Sequence, residues 1–178
     1  MTVGDNEPRD GVKGSPDPAV ISGLSGDTLA GLLAAAAARD PEAIALAAPG
    51  REPLAYGALQ RHVEGMVTAL AALGVGRGDR VAIVLPGGPE LASAFLAVAS
   101  AAVAALLNPA YVADELDFYL RALRVTALLV QKGVPSPARD VARAQGIPVI
   151  ELVPGERAGL FTLEGVEVAP LPPRAAPP

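Results

Sequence analysis

Between residues 57 and 73, apolar side chains return at Leu59, Val63, Met66, Val67, Leu70 and Leu73. That is the period of a helix with one buried stripe. Gly74 follows as a left-handed stop. From there the pattern changes. Short, continuously apolar runs at residues 81–85, 103–107, 127–130 and 149–152 alternate with helical segments. The first of these spans 89–101 and carries Pro89 in its first turn. The second spans 113–123, with Val112, Leu116, Tyr119, Leu120 and Leu123 along one face. The third begins at Pro137 behind a Ser136 cap and runs to about Ala144, where Gly146 ends it. Strand and helix in strict alternation, with strands apolar on both faces, predict an α/β fold: a mostly parallel sheet flanked by helices, with right-handed crossovers.

The flanks are less regular. Asp27 is placed to cap a helix through Arg39, which Pro41 ends because the residue before a proline avoids helical angles. Residues 44–47 and 53–56 read as a hairpin around Pro49-Gly50, and 161–163 with 166–168 as another. Residues 1–26, rich in Gly, Pro, Asp and Ser without period, read as a disordered leader, and the proline-rich 169–178 as a disordered tail. The ordered unit is then 27–168.

Residues 91–107 hold no charge, close to the shortest membrane-spanning helix of about 17 residues. Much of the run is Ala and Ser, which gain little in lipid, and a buried helix followed by a buried strand accounts for it; no membrane span is expected. Residues 29–38 are apolar like a signal-peptide core, but the segment before them is acidic rather than basic, so a cytoplasmic location is expected.

Composition then narrows the chemistry. The chain has 178 residues, enough for one domain with a real core. It is 51% hydrophobic but only 3% aromatic, so Leu, Val and Ile must supply the core area. A net charge of −5 without a basic cluster argues against nucleic acid as a partner. With no cysteine and one histidine, disulfides, thiolate nucleophiles and Cys- or His-rich metal sites are excluded.

Five stretches invite a functional reading. GVGRGDR at 74–80 has the glycines of a phosphate loop, but it follows a helix and precedes a strand, the reverse of a P-loop, and reads as a turn. LPGGPE at 85–90 leaves a strand and opens a helix, where ligands gather in α/β sheets, yet has no Lys, Ser or Thr for a phosphate. His62 sits beside its helix's apolar stripe without a partner for acid–base work. Asp114, Glu115 and Asp117 lie where carboxylates favour a helix N-terminus. Lys132, Arg139 and Arg143 flank a helix start that could hold a phosphate, or form a solvated face.

Three phrases resemble the start of the adenylate-forming, or AMP-binding, superfamily: TLAGLLAAAAARDPEAIAL, LAYGALQRHVEGMVTALAALGVGRGDRVAIVLPGGPE, and AAVAALLNPAYVADELDFYLRAL followed by TALLVQKG. NPAYVADELDFYL and SPARDVARAQGIPVIELVP are most similar to the oxalate–CoA and fatty acyl–CoA ligases. The resemblance covers about residues 28–165. It implies the first subdomain of an adenylate-forming enzyme's large N-terminal domain. In that family ATP activates a carboxylate as acyl-AMP, with release of pyrophosphate, and coenzyme A then takes the acyl group. ATP, Mg and CoA are implied for the whole enzyme. The Ser/Thr/Gly-rich ATP loop, the later adenine and ribose contacts and the C-terminal catalytic lysine lie beyond the matched region. An N-terminal fragment, inactive alone and binding none of these cofactors well, is therefore expected. Its partner is the remainder of the ligase domain, in the same chain or in a separate one, and the carboxylic acid is the whole enzyme's substrate. The alternative is a stand-alone, non-catalytic α/β binding module. The resemblance also allows Lys132, Arg139 and Arg143 to contact CoA phosphates.

Departures from the family pattern are local. The usual Thr/Ser-Tyr-x-Glu at the second helix is here Ala55, Tyr56, Gly57 and Ala58, a lost capping box. Ala101, Leu106 and Val112 stand where the family has Gly, Pro and a polar cap. They imply relaxed constraint: a fragment, a relic or a divergent member.

Overall fold

The computed structural model describes residues 28–166. The leader, the Asp27 cap, residues 167 and 168 and the proline-rich tail lie outside these residues. Helix α1 (Leu29–Arg39) precedes a hairpin of β1 (Ile44–Leu46) and β2 (Leu54–Ala55), and α2 (Tyr56–Ala72) follows. The alternating part then runs β3 (Arg80–Val84), α3 (Pro89–Ala101), β4 (Val103–Leu106), α4 (Ala113–Ala122), β5 (Ala127–Gln131), α5 (Ala138–Ala144), β6 (Val149–Pro154) and β7 (Phe161–Val166).

Strands β3 to β7 form one five-stranded sheet in the order β4-β3-β5-β6-β7. The pairs β3–β4, β3–β5 and β5–β6 are parallel, and β7 closes the sheet antiparallel to β6. Alternation along the strands divides the core. Val81, Ile83, Leu129, Ile150 and Leu152 pack on one face with Leu70, Ala94 and Val98. Ala82, Val84, Leu128, Val130 and Val149 pack on the other with Leu116, Leu120, Ala138 and Ala142. Both faces of the central strands are dry, which is why β3 and β5 read as unbroken apolar runs. A third cluster, Leu33, Leu54, Leu59 and Val63, joins α1 and the hairpin to α2.

Two expectations about strands change. The run at 103–107 is not a buried central strand. β4 is the edge strand of the sheet, and Val103 and Leu106 are each 51% exposed. Pairing order, invisible to periodicity, decides this. The second hairpin is not formed either. Residues 161–166 make one continuous strand whose partner is β6. The split of 91–107 into helix and strand does hold: α3 ends at Ala101 and β4 begins at Val103. Among the described residues no helix is long and apolar enough to cross a membrane.

Helix ends follow local chemistry. Thr28 caps α1, its hydroxyl accepting from the Gly31 N–H at 3.1 Å. Gly74 (φ 85°) stops α2, with the Val75 N–H returning to the Leu70 carbonyl at 3.0 Å. Helix α5 starts at Ala138; the Ser136 hydroxyl still accepts from the Ala138 N–H at 3.3 Å. At α2 the N-cap Ala55 provides no side-chain bond, but the Tyr56 and Gly57 amides donate to the Ala43 and Pro41 carbonyls, both at 2.9 Å. Backbone from the preceding loop has taken over part of the lost cap. At α4 half a capping box survives: Glu115 accepts from the Val112 N–H at 3.0 Å, while Val112 has no oxygen to offer in return.

Candidate functional site

The carboxyl ends of β3, β4 and β5 all open on one side of the parallel sheet, the side on which α/β folds place ligands. Three loops line it: 85–88, 107–112 and 132–137.

The first loop contains LPGGPE, and its acid is already engaged. Glu90 Oε1 accepts from Arg51 Nη1 at 2.5 Å and from the Gly159 N–H at 3.1 Å. Arg51 Nη2 also donates to the carbonyls of Gly155 and Arg157, both at 2.7 Å. One turn along α3 the buried Ser93 hydroxyl donates to the Gly159 carbonyl at 2.6 Å. The β1–β2 turn, the start of α3 and the 155–160 loop are thereby fastened at one point. Sequence reading missed this constellation. Its only trace was Glu90 in a motif lacking phosphate-binding side chains, and nothing local named Arg51 as the partner.

The second loop follows β4. The Asn108 side-chain oxygen accepts from the Ala110 N–H at 2.9 Å, an Asx turn that reverses the chain. Tyr111 then stacks on Tyr119, ring centroids 5.1 Å apart. A hydrogen bond with Tyr119, and the charge on that phenol, hold the Tyr111 hydroxyl's pKa above the ordinary value.

The third loop carries the candidate cations, and each has a carboxylate partner. Lys132, next after β5, pairs with Glu164 of β7; that hydrogen bond and charge raise its pKa. Arg139, in α5, is largely buried, pairs with Glu151 of β6 and donates to the Gln131 carbonyl at 2.6 Å. Arg143 pairs with Asp140 at 3.1 Å on the same helix. Lys132 and Arg143 remain about half exposed, and their carboxylate partners are exposed as well. An anion could replace those partners. Arg139 differs, because its guanidinium already ties α5 to the end of β5 and to β6.

Most of the remaining candidates are held by neighbouring groups. Asp79 in the 74–80 turn accepts from the Gly76 N–H at 2.8 Å and closes that turn. Glu115 caps α4, as above. Asp117 is held below the usual carboxylate range, first by a two-pronged pair with Arg121 at 2.9 and 3.0 Å and then by Gln145. His62 is half-buried against Phe161, edge to face at 4.6 Å, and its Nε2 has no partner; burial lowers its pKa. Among the described residues no group of three His, Cys, Asp or Glu could hold a metal ion.

The comparisons with known proteins agree with this frame. The AMP-binding enzyme family matches residues 33–170. An oxalate–CoA ligase of Arabidopsis thaliana is 37% identical over 121 residues, which is 67% of this chain and 24% of the ligase. A probable CoA ligase, CCL9, of Humulus lupulus is 37% identical over 130 residues, 72% of this chain and 25% of that protein. Among solved structures, apo MatB from Rhodopseudomonas palustris superposes with a TM-score of 0.58 at 26% identity, covering 67% of this chain and 24% of MatB. The chain thus spans about a quarter of the length of these relatives. With 33–170 matched and the parallel sheet in place, the chain belongs to the AMP-binding enzyme family, of which it carries an N-terminal portion.

Proposed function

We propose that this chain is the first α/β portion of an ATP-dependent acid–CoA ligase. In the complete reaction a carboxylate oxygen attacks the α-phosphorus of ATP, pyrophosphate leaves, and the thiol of CoA displaces AMP from the acyl-adenylate. The observation that carries the reading is the family match over residues 33–170.

On this reading the chain catalyses neither half-reaction alone. It lacks a Ser/Thr/Gly-rich loop ending in Pro-Lys, and the described residues offer no carboxylate cluster for Mg. ATP, Mg and the acid are held by the remainder of the ligase, on the same chain or on a second polypeptide. This portion supplies a rigid sheet and its carboxyl-end loops. Lys132 and Arg143 are the groups we assign to a CoA phosphate, each exchanging an exposed carboxylate partner for it, with Arg139 holding α5 in place between them. The cytoplasm, where ATP and CoA are available, is the fitting compartment.

The test is carboxylate-dependent exchange of labelled pyrophosphate into ATP, with oxalate and a series of fatty acids. No exchange is expected from the purified chain. Exchange is expected once the downstream part of the Arabidopsis oxalate–CoA ligase is added as a separate polypeptide. Exchange by the chain alone would overturn the proposal.

A further inference from the structure

The last two strands set two carboxylates side by side. Glu151 of β6 and Glu164 of β7 are partners in the antiparallel ladder. Glu151 is also in register with Val130, which lies on the sheet face covered by α4 and α5. Residues paired across strands share a face, so both carboxylates belong to that side. Like charges directly opposite each other across two strands repel.

Two cations answer them. Arg139 of α5 pairs with Glu151, and these side chains are 15% and 25% exposed. Lys132 stands two residues beyond Val130, returns to the same face and pairs with Glu164. These two are 51% and 50% exposed. The charge of Glu151 acts on Lys132 as well, behind that of Glu164. Lys132, Glu164, Glu151 and Arg139 thus make one neutral array with a sheltered inner pair and an open outer pair.

The array decides how Lys132 meets an anion. A bound anion takes the ammonium away from Glu164. Glu164 then stands opposite Glu151 without a cation of its own, so the exchange costs more than one exposed ion pair. That cost is the same for every anion. A lone anion has a single new contact to set against it. A ligand with two anionic groups has a second, and Arg143, one turn beyond Arg139 on α5, is placed to provide it.

We propose that Glu164 is a built-in competitor at the Lys132 site, kept on the ammonium by its opposition to Glu151, so that a lone anion holds Lys132 weakly and a ligand also anchored at Arg143 holds it well. The inference rests on the proposed assignment of Lys132 and Arg143 to CoA phosphates and names what regulates that site.

The experiment uses the 178-residue chain and two probes, inorganic phosphate and adenosine 3′,5′-bisphosphate. NMR titrations at low salt read both affinities, and circular dichroism confirms that each variant is folded. The bisphosphate should bind about tenfold more tightly than phosphate. Glu164→Gln keeps the shape and removes the charge, and should tighten both probes about threefold. Lys132→Gln in the same chain should abolish that gain, and this double variant leaves no unpaired carboxylate opposite Glu151. Glu52→Gln removes an equal charge from the exposed pair with Arg157 and should change neither affinity. Unchanged or weaker binding in Glu164→Gln, a gain that survives without Lys132, an equal gain in Glu52→Gln, or no binding by any variant would each overturn the proposal. The probes separate the two readings. A gain for phosphate, with the bisphosphate no tighter than phosphate, keeps the competitor and removes the CoA assignment; a tighter bisphosphate indifferent to Glu164 does the reverse.

Discussion

Arg51 and Glu90 stand 39 residues apart in sequence and meet at 2.5 Å. The side chains are 26% and 13% exposed, so this is not a solvent-screened surface pair. Removing Arg51 leaves a mostly buried carboxylate with only the Gly159 amide, and frees the carbonyls of Gly155 and Arg157. Breaking one side of such a pair costs more than the pair is worth as a unit. Arg51→Ala should therefore destabilise the fold by about 2 kcal/mol. The urea midpoint should fall with no change in slope. A midpoint unchanged within error would show that the lock is decorative.

Gly159 and Gly50 offer a matched comparison. Both have positive φ, 83° and 70°. A Cβ on Gly50 would meet nothing within 4 Å, whereas one on Gly159 would lie 2.5 Å from Leu46 Cδ1 and 3.2 Å from the Pro89 carbonyl oxygen. Gly50→Ala should cost only the left-handed backbone term, about 1 kcal/mol. Gly159→Ala should cost clearly more. Leu46→Ala in the same chain should recover part of the excess, because it removes the clash with a movable side chain but not that with backbone. Thermal melts of the four proteins decide this; equal losses at the two glycines would refute it.

The half-formed cap of α4 can be completed. Glu115 already accepts from the Val112 amide, and Val112 is 61% exposed, so no core contact is lost on replacing it. Val112→Ser supplies the missing acceptor for the N3 amide and should stabilise by about 1 kcal/mol. Ala55→Ser at α2 should gain less, because two of that helix's first amides already have backbone acceptors. Denaturant midpoints would show the order, and a larger gain at Ala55 would contradict it.

How much was legible in the sequence follows from which forces are local. Helices α2, α3 and α4 and strands β3, β5 and β6 came from periodicity, because the buried stripe of a helix and the two dry faces of a central strand are written into consecutive residues. The edge position of β4 was not, since VAAL has the composition of a buried strand and only pairing order exposes it. Among site candidates, the turn at 74–80 and the acids Asp114 and Glu115 in the first turn of α4 lie where the sequence placed them, whereas Asp117 falls beyond that turn and bonds Gln145, 28 residues on. Lys132 was visible as a cation, but its partner Glu164 lies 32 residues on. The Arg51–Glu90–Ser93–Gly159 constellation was invisible for the same reason: each member is ordinary in its own neighbourhood, and only the fold brings them together.

His62 makes stability depend on pH in a window that Asp117 does not share. Its ring is half-buried against Phe161, its Nε2 lacks a partner, and burial lowers its pKa. In the unfolded chain it titrates near the ordinary value of about 6.5. Above that pH neither state holds the proton, and the full stability is present. As pH falls below about 6.5 the unfolded chain binds the proton first, so stability drops until the pH passes the lower, folded-state pKa and the difference levels off. Asp117, held below the usual carboxylate range by Arg121 and Gln145, loses its contribution only at more acidic pH. His62→Phe keeps an aromatic edge against Phe161 and removes both the titration and the unpaired nitrogen. Urea midpoints between pH 7.5 and 5.5 should therefore decline in the parent chain and stay nearly flat in the variant, with the variant at least as stable at pH 7.5. Parallel declines in the two proteins would assign the slope to another group.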